Sequence, residues 1–139
     1  MLYYSGNITR AKNCIFVFGS NPEGRHGLGA AKVALRHFGA KYGKGEGLYG
    51  NSYALPTKDL RVKGMRSISK QNIVGSIRTL YKVAAENPDK LFHIAYRNTD
   101  KISLNGYTGY EMIAMFLAAG NKPINIVISK EWYDTGLFC

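Results

Sequence analysis

The feature that most narrows what this chain can fold into is the run Cys14-Ile15-Phe16-Val17-Phe18, which leads into a glycine-rich turn and then a helix. Consecutive apolar residues, β-branched and aromatic and with no polar alternation, are what a strand buried on both faces requires. Gly19-Ser20-Asn21 ends the run. From Gly29 to Phe38 the residues Ala30, Ala31, Val33, Ala34, Leu35 and Phe38 recur at helical spacing, leaving Lys32, Arg36 and His37 for solvent. A central strand feeding a turn that opens a helix is the unit of an α/β sheet.

The rest of the chain continues the alternation. Tyr3-Tyr4 ahead of Ser5-Gly6-Asn7 reads as a short opening strand and a turn. Gly39, Gly43, Gly45, Gly47 and Gly50 crowd a segment of little apolar content, which reads as a loop, mobile or tightly folded, before the strand Ser52 to Pro56. Ser69 or a neighbour caps a long helix with the inner face Ile73, Ile77, Leu80, Tyr81 and Ala84, and Asn87-Pro88-Asp89 stops it. Leu91 to Tyr96 is a further strand. The turn Asn105-Gly106-Tyr107-Thr108-Gly109 opens a helix carrying Ile113, Met115, Phe116 and Leu117, Gly120-Asn121 closes it, and Ile124 to Ser129 is the last strand. Right-handed crossovers then give an α/β fold, a three-layer α/β/α sandwich on a mostly parallel mixed sheet. The 139 residues are expected to form one domain, residues 1–139, with no length for a second. In such folds ligands sit beyond the carboxyl ends of the strands, where both glycine-bearing turns fall.

The formal net charge of +10 attracts polyanions, although excess lysine also serves solubility alone. No apolar stretch near the start resembles a secretory leader and none spans a bilayer, so a cytoplasmic protein without membrane association is expected. Cys14 and Cys139 give no disulfide framework, and with His26, His37 and His93 scattered there is no metal-ligand spacing. Neither metal nor cofactor is expected.

Two turns carry the candidate chemistry. Between Asn21 and Gly29 the missing Cβ atoms of Gly24, Gly27 and Gly29 let backbone N–H groups approach an anion at the partly positive start of the helix. The same glycines equally serve close packing, and the turn matches neither the dinucleotide nor the P-loop fingerprint. Gly106-Tyr107-Thr108-Gly109 repeats the logic, so the pair could close on the two phosphates of a diphosphate, or Thr108 could simply cap its helix. Tyr107 and Tyr110 would cover a ribose or base, or pack.

Ser5-Gly6-Asn7-Ile8-Thr9, Phe18-Gly19-Ser20-Asn21, His26-Gly27-Leu28-Gly29 and Gly106-Tyr107-Thr108-Gly109 resemble, in order and spacing, the macrodomain, an ADP-ribose-binding fold, over most of the chain. The resemblance implies that Asn7 and Ile8 lie at the adenine, that Ser20, Asn21, Gly27, Leu28 and Gly29 line the distal ribose and phosphates, and that Asn105, Gly106, Tyr107, Thr108, Gly109 and Tyr110 wrap the diphosphate. Asn7 stands where the family has an acidic residue, and Leu28 interrupts the glycine run. Leu55-Pro56-Thr57-Lys58 is similar to the strand end of macrodomains that remove ADP-ribose from DNA, which makes Lys58 a candidate nucleophile and binding residue. Those relatives carry an aspartate in the second loop, where this chain has Thr108. Asn21 and His26 are the candidates for positioning water.

The expected function is therefore binding of ADP-ribose or a related phosphate-bearing nucleotide, with hydrolysis of ADP-ribosyl linkages as its catalytic form. ADP-ribosylated DNA, RNA or protein would be the macromolecular partners. Two alternatives stay open: a nucleic-acid-binding module using Arg61, Lys63, Arg66 and Lys70, and an interaction domain of the same fold without catalysis.

Overall fold

The computed structural model describes residues 2–138, and Cys139 lies outside them. A six-stranded sheet is built from β1 (Tyr3–Tyr4), β2 (Cys14–Ser20), β3 (Gly47–Tyr49), β4 (Ser52–Pro56), β5 (Leu91–Ile94) and β6 (Ile126–Ser129) in the order β1-β6-β5-β2-β4-β3. Every pairing is parallel except β3 with β4, so the sheet is mixed and mostly parallel. The helices are α1 (Gly29–His37), α2 (Lys70–Glu86), α3 (Gly109–Ala118) and α4 (Lys130–Tyr133).

The alternation of side chains along β2 divides the core. Ile15 and Val17, with Tyr53 and Leu55 of β4 and Phe92 and Ile94 of β5, pack against Ile73, Ile77 and Leu80 of α2 and Met112 and Phe116 of α3. Phe16 and Phe18, with Ala54, face Ala31 and Ala34 of α1. Phe38, just past α1, stacks on Phe16 at 4.5 Å between centroids. The strand thus reads as a continuous apolar run because both of its faces are covered by helices. The predicted inner face of α2 is buried at all five positions, and Ser69 caps the helix by accepting from Asn72 N at 3.1 Å.

The structure differs from the sequence reading in four places. The glycine-crowded segment contains β3, whose side chains are only half-buried and which pairs antiparallel with β4. Its partner supplies the order that its composition does not. The strand expected to reach Tyr96 ends at Ile94, and the strand expected from Ile124 begins at Ile126, with Ile124 84% exposed. Helix α4 had no counterpart in the reading; it is a single turn capped by Ser129.

Chain order places β4 on one side of β2 and β5 on the other. β2 leaves toward α1 on one face of the sheet, and β5 leaves toward α3 on the opposite face. The carboxyl ends of β2 and β5 therefore diverge, which is the topological switch point where open α/β sheets form a crevice.

Candidate functional site

A cleft of about 350 Å³ opens at that point. Its walls come from the end of β2 (Gly19, Ser20), the start of α1 (Leu28, Ala30, Ala31), the residues after β4 (Thr57, Lys58), those after β5 (Ala95 to Asn98) and the stretch Ser103 to Asn105. Two other hollows are larger, about 660 Å³ beside Arg10, Lys12 and His37 and about 430 Å³ beside Tyr81, Phe116 and Ile124. Neither lies at the carboxyl ends of the strands, so convergent polar groups and topology select the smaller one.

The floor of the cleft is a polar network. The Tyr96 and Thr57 hydroxyls share a hydrogen bond of 2.8 Å, and Asn105 Nδ2 reaches the Tyr96 oxygen at 3.5 Å. Burial pushes the Tyr96 phenol up to about 12, against the opposing effect of those two hydrogen bonds, so it stays a neutral donor at ordinary pH. The network exists because residue 19 is glycine: a Cβ there would fall onto the Tyr96 hydroxyl and lie 2.9 Å from its Cζ.

Charge enters from two sides. Lys58 is half-buried on the wall and has no carboxylate partner among the described residues. Its neighbour Asp59 is occupied by Arg61, whose hydrogen bonds hold the Asp59 carboxyl down at about 2. Arg97, also on the wall, is held by Glu131 at 2.9 Å and donates to the Gly6 carbonyl at 3.0 Å, which draws the turn around Asn7 toward the rim. Asn7 itself is exposed, Ile8 packs with the Phe16 cluster, and neither lines the cleft.

The two glycine turns, alike in sequence logic, differ in what they leave free. Helix α1 starts at Leu28, which has extended backbone and offers no capping side chain, and its first turn holds no acidic residue. The N–H groups of Gly29, Ala30 and Ala31 have no protein acceptor among the described residues, while Leu28, Ala30 and Ala31 line the cleft. Unfilled N–H groups at a helix start form an anion site.

The turn at Gly106 is spent on the protein itself. Gly106 N donates to Ser103 O, Tyr107 N to Asn105 Oδ1, Thr108 N to Glu111 Oε1, Gly109 N to Lys101 O and Tyr110 N to Thr99 O. Thr108 and Glu111 form a capping box at α3. Tyr107 is buried, donating to Ile68 O at 2.7 Å beneath the Arg66 guanidinium, and Tyr110 is an exposed surface residue. Residues 106 to 110 thus stand off the cleft with no free backbone donor, and of the second loop's candidates only Asn105 reaches it.

Asn21 and His26 are likewise committed elsewhere. Asn21 closes its own turn, accepting from Arg25 N at 2.9 Å and donating to Arg25 O at 3.0 Å. His26 is buried, with Nε2 donating to Lys44 O at 3.0 Å and its ring edge-on to Phe18. Gly24 and Gly45 make this docking possible, since a Cβ on either would fall into the backbone of the other loop. Ser20 lines the cleft, but its hydroxyl donates to the Gly45 carbonyl in the same interlock. Gly27 and Gly29 are exposed beside the wall without being part of it.

Of the candidates, the structure therefore assembles Lys58, Ser20, Leu28 and Asn105 around one cleft. It adds Thr57, Tyr96, Arg97 and Ser103, which the sequence reading missed. The signal for Tyr96 and Arg97 was their place at the carboxyl end of a strand, hidden when that strand was drawn two residues too long. Among the described residues no group of three or more His, Cys, Asp and Glu side chains is placed to hold a metal ion, and no helix is long and apolar enough to cross a membrane. Comparison with protein-family models, curated proteins and solved structures finds no match to this chain.

Proposed function

We propose that the cleft binds the phosphate–ribose portion of a nucleotide, with ADP-ribose the first choice, in a three-layer α/β/α fold of macrodomain type. One observation carries the reading: the uncapped start of α1 and the unpaired Lys58 flank the same cleft at the switch point of the sheet. A phosphate at the Gly29 to Ala31 N–H groups would gain their hydrogen bonds and the helix dipole, with Lys58 as counter-charge. Thr57, Tyr96 and the Ser103 hydroxyl, which is buried with no hydrogen-bond partner among the described residues, supply neutral polar groups suited to a ribose. The filled turn at 106 to 110 leaves the phosphate contacts to the α1 side alone.

Isothermal titration calorimetry with ADP-ribose, ribose 5-phosphate and adenosine tests this reading. The phosphorylated compounds are expected to bind and adenosine to give no heat, with Lys58→Ala weakening the phosphorylated ligands. Absence of heat with all three, on protein shown to be folded, overturns the reading. For catalysis, the Lys58 amine, once deprotonated, would attack the anomeric carbon and displace the modified group, and water would then release ADP-ribose from the lysine adduct. Loss of turnover on ADP-ribosylated DNA, RNA or protein in Lys58→Ala, with ADP-ribose still bound, identifies a hydrolase; binding without turnover in the wild-type chain identifies a reader.

A further inference from the structure

The positive charge of the chain is distributed unevenly, and the ion pairs determine where it is usable. Residues 1–45 hold seven of the 19 lysines and arginines and one of the nine carboxylates, Glu23. Glu23 is taken by Arg61 at 3.2 Å, and none of those seven cations has an ion pair among the described residues. The basic stretch after β4 is the opposite case: Arg61 is held by Asp59 and Glu23, and Arg66 and Lys70 by Glu111 at 2.9 and 3.0 Å. Of the four residues singled out there as nucleic-acid contacts, only Lys63 lacks an ion-pair partner among the described residues. Elsewhere Arg78, Lys82, Lys90, Lys101 and Lys122 also have no ion pair among the described residues, but Glu86, Asp89 and Asp100 stand near three of them in the chain, whereas residues 1–45 offer only the occupied Glu23.

Four of these seven cations lie along α1 and the groove at its carboxyl end. Arg10 and Lys12 line the hollow of about 660 Å³ together with His37, Gly39, Gly50 and Asn51, at the amino ends of the strands. Lys32 and Arg36, one turn apart on the exposed side of α1, continue from that groove toward the cleft at the other end of the helix. Lys41 and the exposed Tyr42 follow in the next loop.

We propose that this α1 face binds the sugar–phosphate backbone of a single-stranded nucleic acid, the groove at Arg10, Lys12 and His37 seating part of the strand. A concave, carboxylate-free groove flanked by cations tracks a phosphate chain, while His37 and Tyr42 offer flat rings on which bases stack. A lipid surface fits less well: the face is grooved, and the exposed side of α1 offers only Val33 as an apolar contact. The proposal does not depend on what the cleft binds.

The test is fluorescence anisotropy with a labelled oligothymidylate and a labelled oligouridylate over a salt series, on the full chain. Five contacts, from Arg10, Lys12, Lys32, Arg36 and Lys41, predict a slope of log K against log salt of about −3.5. The triple variant Lys12→Glu, Lys32→Glu, Arg36→Glu, all exposed positions, is expected to lose binding and flatten the slope to about −1.4. The charge-matched Lys63→Glu, Arg78→Glu, Lys82→Glu is expected to keep most of the affinity, as is Lys12→Arg, Lys32→Arg. Equal losses in the two triple-Glu variants mean diffuse net charge and overturn the proposal. So does absence of oligonucleotide binding, or binding confined to anionic phosphatidylserine vesicles. An unfolded triple variant is detected by circular dichroism, and the groove alone is then tested with Arg10→Glu, Lys12→Glu against the same criterion.

Discussion

Replacing Leu28 by aspartate should move stability and ligand affinity in opposite directions. Leu28 occupies the N-cap of α1 with φ −136° and ψ 152°, the extended conformation in which an aspartate side chain turns back to accept from the helix N–H groups. The wild-type residue contributes no cap, no acid occupies the first turn, and the leucine is 73% exposed, so little burial is lost. Filling the cap stabilises the fold by about 1 kcal/mol, and the carboxylate adds a few tenths from the helix dipole at low ionic strength. The same carboxylate sits where the proposed phosphate would, replacing its N–H partners and adding like-charge repulsion. A loss of about 1.4 kcal/mol, or tenfold in Kd, is the expected scale for ADP-ribose. Urea titration gives the first quantity and calorimetry the second, with Leu28→Asn as the uncharged cap. A stabilised variant with unchanged ADP-ribose affinity would refute placement of the phosphate at α1, and an unstabilised one would mean that the N–H groups are not free.

The remaining expectations separate the cleft from its supports. Gly19→Ala forces Tyr96 off Thr57 and should cost about 2 to 4 kcal/mol through overpacking and one lost hydrogen bond, read by urea titration. Removing the hydroxyl in a Tyr96→Phe background should recover part of that, and a strictly additive double mutant would contradict the clash. Thr108→Ala should cost about 1 kcal/mol from the lost cap and leave ADP-ribose affinity unchanged, because that turn stands off the cleft. Asn21→Ala should likewise destabilise by roughly 1 to 2 kcal/mol through its opened turn, and a variant of full stability that had lost only ligand binding would restore Asn21 as a ligand contact. Acid stability has a defined window. The Glu111 carboxyl, held by the Thr108 N–H and by Lys70, and that of Asp59, held by Arg61, both lie near 2 in the fold. Their stabilisation is complete above their ordinary values of 4.5 and 3.8 and is lost as pH falls toward 2; Glu111→Gln should flatten this limb in thermal melts, and an unchanged acid profile would exclude the contribution.

What the sequence disclosed about the fold follows from which signals are local. A strand buried on both faces, such as Ile15 to Phe18, advertises itself in four residues, and the helix face Ile73, Ile77, Leu80, Tyr81 and Ala84 in twelve. β3 could not be seen in this way: Gly47-Leu48-Tyr49 owes its extended form to the register with Ser52, Tyr53 and Ala54, a relation between two segments rather than a property of one. The interlock of Gly24 and Gly45 is of the same kind, since Gly45 is required because the other loop arrives against it, while Gly24 adds a φ of 70° to the same close approach.

The site was half legible for a chemical reason that the two turns make plain. Both combine glycines with a helix start, and on that ground both qualify as anion sites. Their difference lies in the residues that compete with a ligand for the same N–H groups. Thr108 and Glu111 stand at the spacing of a capping box, the sequence mark of a helix start already filled, whereas Leu28-Gly29-Ala30-Ala31 contains no side chain able to accept a hydrogen bond. Charge follows the same competition: Arg66 and Lys70 share the very glutamate that fills the second turn, while the helix that remains open carries Lys32 and Arg36 without an ion pair among the described residues along its outer side. An anion approaching α1 thus meets free N–H donors at its start and the unpaired Lys32 and Arg36 along its outer side, and substitutions there, rather than at 106 to 110, should govern what the protein binds.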